Sequence, residues 1–122
     1  MPKVIKTERR KHPRITQRLP IALSANGYDF TTTTQNISCV GAYCHIDKYV
    51  PPFTKVLVKM DIPGASARCN VECHGVVVRA EDDRNNGFNV AIFFNEIKDA
   101  ERKKISRYIS QLLSHGSSPR RS

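Results

Sequence analysis

The stretch Thr54-Lys55-Val56-Leu57-Val58-Lys59-Met60-Asp61-Ile62 puts Val56, Val58, Met60 and Ile62 at every second position. Side chains along a β-strand alternate between its two faces, so these four share one apolar face. Pro51-Pro52 before the stretch and Pro63-Gly64 after it mark its ends. The segment reads as a strand with one face turned to a core.

The same reading extends in both directions. Upstream, Leu19 to Leu23 makes a short strand whose Pro20 suits a strand start or edge. Asn26-Gly27 signals a tight hairpin turn. Tyr28 to Ile37 follows, rich in aromatic and β-branched residues. A turn at Ser38 to Gly41 leads into a strand from Ala42 to about Ile46. Downstream, Ala67 to Ala80 is a long β segment with a bend or bulge expected at Gly75. A polar loop from Asp82 to Gly87 precedes a last strand, Gly87 to Phe94. Six strands with frequent turn signals predict a small antiparallel barrel or sandwich. A helix follows, because Ile105, Tyr108, Ile109, Leu112 and Leu113 form one apolar stripe. Asp99 is expected as its N-cap, and the helix should end near Gly116 and cover part of the barrel. The aromatics are expected to point mostly into the core.

The net charge of +9 is unevenly placed. Residues 1–18 carry seven Lys/Arg against Glu8, whereas residues 19–100 carry seven bases against nine acids. Residues 101–122 carry six bases against Glu101. The body is thus mildly acidic and the basicity sits in the terminal segments. This predicts a flexible basic arm over 1–18, a folded unit over 19–115 and a disordered tail over 116–122. Such an arm implies an anionic partner: nucleic acid, a membrane surface or a phosphate ligand. No apolar run approaches the ~18 residues needed to span a bilayer. No leader sequence is visible, so the expected location is cytoplasmic. Cys39, Cys44, Cys69 and Cys73 are spaced C-x4-C and C-x3-C inside strand-like segments, unlike the C-x2-C knuckles of zinc sites, so reduced structural thiols are expected and no metal. No G-x-S-x-G, P-loop or H-E-x-x-H pattern supports an enzyme, and His12, His45, His74 and His115 are scattered.

Two segments carry recognisable chemistry. In Glu8-Arg9-Arg10-Lys11-His12-Pro13-Arg14, Pro13 opposes helix and favours an extended presentation of Arg10 and Arg14. Guanidinium pairs bidentately with phosphate oxygens and with the O6/N7 edge of guanine. By charge alone the arm would read as a solvated basic tail. In Asn36-Ile37-Ser38-Cys39-Val40-Gly41, Asn and Ser supply short polar groups, and Gly41 permits positive φ or close approach of a ligand. Alone, this would be an ordinary turn.

Together the two segments resemble the PilZ domain family, whose motifs are R-x-x-x-R followed about 20 residues later by [D/N]-x-S-x-x-G. Gly75-Val76-Val77-Val78-Arg79 looks like the family's fifth strand. Gly87 to Phe94 resembles its closing strand, with Asn89 where a glycine is common. The resemblance runs from about residue 8 to 113. It implies a six-stranded antiparallel barrel with a C-terminal helix, acting as a cyclic di-GMP receptor that changes conformation and signals to a protein partner. Arg10 and Arg14 would then hold phosphate and guanine edges, Asn36 and Ser38 would contact guanine or the sugar-phosphate ring, and Gly41 would leave room. Arg9, directly before the motif, implies an intercalated pair of ligand molecules per chain, and Arg79 is a further candidate. The competing reading is a small basic barrel binding RNA or single-stranded DNA. Against it stand the mildly acidic middle and the expected inward aromatics.

Overall fold

A computed structural model describes residues 13–63, 69–84 and 86–117, with side chains described as far as residue 114. Six strands form in chain order: β1 (Pro20–Ala25), β2 (Tyr28–Ser38), β3 (Gly41–Ile46), β4 (Lys55–Ile62), β5 (Cys69–Asp82) and β6 (Phe88–Glu96). One helix, α1 (Asp99–Ser117), follows. The strands close into an antiparallel barrel in the order β1-β2-β3-β6-β5-β4, with β4 returning to β1. Closure removes every free sheet edge. Among the described residues no helix is long and apolar enough to cross a membrane.

Local chemistry explains the elements. Asn26 and Gly27 both have positive φ, 53° and 83°, the geometry of a two-residue hairpin turn whose twist suits its flanking strands. In β4, Val56, Val58, Met60 and Ile62 are all buried, as the alternation requires. Each such side chain is worth about 1.5–3 kcal/mol against exposure. Three register shifts interrupt the ladders. Gln35 is an extra residue on β2 between Thr34 and Asn36. Opposite Gly75 the extra residue is on β6, and Val78 is an extra residue on β5. A Cβ at Gly75 would come within 2.7 Å of the Ile92 Cγ2, so the bend expected there is also a point of close packing.

The ordered barrel begins before the boundary expected at residue 19. Ile15 and Ile37 exchange two backbone hydrogen bonds, each 3.0 Å, and the Ile15 side chain is buried. Thr34, with no exposed surface, then fixes the chain at Leu19. Its hydroxyl accepts the Leu19 N–H at 3.0 Å and donates to the Gln17 carbonyl, and its own N–H donates to the Leu19 carbonyl at 2.9 Å. Ile15, an isolated apolar residue, gave no periodic signal, yet it reaches the core, as does Leu19 at the head of the expected first strand. Pro13 to Leu19 holds no helix, consistent with the constraint from Pro13. The rest of the expected arm, residues 1–12, and the end of the expected tail, 118–122, lie outside the described residues.

The helix buries Ile105, Tyr108 and Ile109 against the barrel, while Leu113 is exposed, so the apolar stripe is narrower than the spacing implied. Its first turn starts one residue early. The Lys98 carbonyl accepts the Arg102 N–H at 2.9 Å, which makes Lys98 the cap position and puts Asp99 and Glu101 in the first turn, where acids suit the dipole. Glu101 also reaches the barrel: it accepts the Glu72 N–H at 2.9 Å and pairs with Lys104 at 3.0 Å. The backbone hydrogen bond from Glu72, with Lys104 beside it, holds its carboxyl below the usual carboxylate range. Cys39, Cys44 and Cys73 are buried core residues. Burial pushes the Cys44 thiol up to about 12 and, with the nearby Glu101 charge, the Cys73 thiol likewise to about 12. Both therefore serve as small apolar side chains, because the thiolate is the form that attacks or binds metal.

Thr34→Val should leave the Leu19 N–H and Gln17 carbonyl without their hydroxyl partner and cost about 1–3 kcal/mol in urea unfolding; an unchanged midpoint would contradict the clamp. A carboxyl with a depressed folded-state pKa stabilises above its unfolded pKa and stops doing so as pH falls through the folded one. Glu101→Gln should therefore lower stability at pH 7 and converge with wild type as pH falls through the lowered folded-state pKa of Glu101, as measured by urea melts across the acid range.

Candidate ligand-binding site

The sheet pairing of Ile15 with Ile37 determines where Arg14 goes. Ile15 points inward, so Arg14 before it faces out, beside the strand that carries Asn36. The bulge at Gln35 resets the alternation of β2, so that Ile37 is buried and Asn36 is half-buried on the outer side. At the β2–β3 turn the Ser38 hydroxyl accepts the Val40 N–H at 3.2 Å, and the Val40 carbonyl accepts the Phe94 N–H at 2.8 Å. The first bond holds the turn and the second ties it to β6.

Four of the six site residues expected from sequence meet here. Arg14, Asn36, Ser38 and Gly41 line one shallow concavity of about 150 Å³, together with Arg79, Tyr43, Val78 and Phe93. Arg9 and Arg10 lie outside the described residues. Two of the four have a different immediate role from the one expected. Gly41 does not have positive φ, and a Cβ there would collide with the Ile92 carbonyl oxygen across the β3–β6 pair. The glycine is thus demanded by the neighbouring strand. Ser38 is only 2% exposed and its oxygen is engaged in the turn, although its O–H can still donate.

Sequence reasoning missed Val78 and Phe93. Phe93 could have been found: Val90, Ile92 and Phe94 alternate inward on β6, so Phe93 must face out. Val78 could have been found in the same way, since Val71, Cys73 and Val77 alternate inward on β5; what alternation misses is Arg79, which the bulge at Val78 leaves exposed beside it. More broadly, the expectation of inward aromatics is corrected. Phe30, Phe94 and Tyr108 are buried, but Tyr28, Tyr49, Phe53 and Phe93 are exposed. Several belong to loops or outward strand positions that composition cannot distinguish from core ones.

The electrostatics favour an anion. Arg14 and Arg79 carry guanidinium groups into the concavity, and Glu81 is the acid nearest to Arg79, with Nε and Oε2 3.6 Å apart and both side chains exposed. An exposed pair of this kind is weak and readily exchanged for a ligand. A larger concavity, about 890 Å³, lies where β4 and β5 meet the start of α1. Its lining sets Glu72, Glu96 and Glu101 against Lys98 and Lys104, a balance that does not favour an anion, and Glu101 is already engaged by the Glu72 N–H and Lys104. Chemistry rather than size selects the smaller site. Among the described residues no group of three His, Cys, Asp or Glu is placed to hold a metal.

Comparison with known proteins agrees with this fold. A family model described as the PilZ domain matches residues 8–111. The barrel is similar to the Bacillus subtilis inhibitor of motility MotI/DgrA, with a TM-score of 0.77 at 17% identity over 86% of this chain and 52% of that one. It is also similar to Escherichia coli YcgR in complex with c-di-GMP, with a TM-score of 0.70 at 10% identity over 91% of this chain and 49% of that one. The isolated PilZ domain of E. coli YcgR with c-di-GMP gives a TM-score of 0.61 at 12% identity, over 91% of this chain and 96% of that domain. The chain thus spans about half the length of the first two proteins, 52% and 49%. At these identities the likeness shows the fold. No curated protein matches the chain. With a family match over nearly its whole length and the barrel that goes with it, this chain belongs to the PilZ domain family.

Proposed function

We propose that this chain is a non-catalytic receptor for cyclic di-GMP that signals to a protein partner when the ligand changes its surface. The observation that carries the reading is the meeting of Arg14, Asn36, Ser38 and Gly41, from the arm and the β2–β3 turn, in one concavity with Arg79. The ligand offers two phosphates and two guanines, and guanidinium is suited to both. Two solved PilZ structures that this barrel resembles hold that ligand.

The concavity of about 150 Å³ is smaller than the usual ligand pocket of about 300–1,000 Å³. It is therefore one wall of a site, and the segment before Pro13 supplies the other. Arg10 lies four residues ahead of Arg14, a reach of up to ~14 Å. That is enough to close Arg9 and Arg10 over a ligand seated on Arg14. Ordering such a segment costs on the order of 2–5 kcal/mol, which a few charged hydrogen bonds of about 1.5–3 kcal/mol each offset. Arg9 adds a cation for a second, stacked ligand molecule. The new surface formed by the closed segment is the output read by the partner.

A second reading keeps one observation in its favour: four aromatics, Tyr28, Tyr49, Phe53 and Phe93, are exposed, as a stacking platform for single-stranded nucleic acid requires. Salt separates the two. Oligonucleotide affinity falls steeply as salt rises, since each phosphate contact releases counterions.

Calorimetry should give two cyclic di-GMP per chain, and a ratio of one would remove the role given to Arg9. Arg10→Ala and Arg14→Ala should each weaken binding by roughly 10- to 100-fold; wild-type affinity in either would show that the site is misplaced. Hydrogen exchange over residues 1–12 should slow on adding ligand, and unchanged exchange would contradict closure.

A further inference from the structure

We propose that Phe93 is the stacking platform for a guanine of the bound ligand, with Val78 as its apolar margin. This rests on the cyclic di-GMP reading and assigns a residue outside both sequence motifs. Phe93 is 47% exposed and Val78 49% exposed, and both line the concavity that holds Arg14, Asn36 and Arg79. A lone exposed apolar side chain is ordinary. A phenyl ring and a valine exposed together beside two arginines make a surface with an apolar face and a cationic rim, which suits a ligand that carries both a base face and anionic groups.

The register keeps the ring uncovered. Gly41 is the residue directly opposite Phe93 across β3–β6. Directly opposed positions have Cβ atoms about 4.5–5.5 Å apart, so any side chain at 41 would lie against the ring. The glycine that lets the Ile92 carbonyl approach thus also leaves one flank of Phe93 bare. On the other side, Val76 is opposite Phe93; Val78 faces out after the buried Val77, and the bulge keeps Arg79 outward beside it. The site then divides its tasks. Arg14 and Arg79 take phosphate and base edges, and Phe93 takes a base face. Aromatic stacking is sequence-tolerant by itself, so the polar groups must supply the preference for guanine.

The chain contains no tryptophan, which gives a direct test. In Phe93→Trp the indole is the sole tryptophan, and its fluorescence should be quenched as cyclic di-GMP saturates the protein, with affinity within a few-fold of wild type. Phe93→Ala and Phe93→Leu should weaken binding by roughly 5- to 100-fold, the leucine variant showing that a ring rather than apolar cover is needed. Circular dichroism and melting temperature report whether either variant still folds, and the leucine variant stands in if the alanine one does not. Wild-type affinity in Phe93→Leu, or unchanged fluorescence at saturation in Phe93→Trp, would overturn the platform while leaving the receptor reading intact. Failure of the wild-type protein itself to bind cyclic di-GMP would overturn both.

Discussion

The pairing of β3 with β6 is the contact on which the barrel and its candidate site both depend. These strands are far apart in sequence, and their meeting turns one open six-stranded sheet, joined through β1 and β4, into a closed wall. The contact is tight because Gly41 has no side chain to hold off the Ile92 carbonyl. It places the β2–β3 turn against the β6 strand, where the Val40 carbonyl accepts the Phe94 N–H. Arg14, the turn and Arg79 come together only because this seam closes. Because it joins distant segments, the seam must also form against loop-closure entropy, as in other non-local β pairings.

The departures from regular pairing are where the side chains of the candidate site turn outward. A uniform ladder would alternate core and solvent faces without exception. The extra residue Gln35 resets β2, so that Asn36 faces out beside a buried Ile37. The extra residue Val78 puts two consecutive β5 side chains outside, one apolar and one cationic. Gly75 absorbs the third irregularity at a point where a Cβ would strike Ile92. The barrel interior remains an apolar core that includes the protonated thiols of Cys44 and Cys73.

The arm is joined to the core through buried contacts. Ile15 pairs with Ile37, and Thr34 holds Gln17 and Leu19. This anchorage sets Arg14 at the rim of the concavity.

Much was legible from sequence because the signals are local. Alternation in β4, the Asn26-Gly27 turn and the helical stripe at Ile105, Tyr108 and Ile109 each need only a few neighbouring residues to be read. The two motifs were legible in the same way, as short patterns of residue types in order. What the sequence by itself determined was six strands, one helix and the polar groups of a site. The tertiary structure alone decided that Ile15 is a core residue, that Gly41 serves a strand crossing, and that Phe93 and Val78 stand beside the arginines. The physical reason is register: which residues face each other across β3, β6 and β5 depends on bulges and on pairing between distant strands, and no local pattern records those offsets.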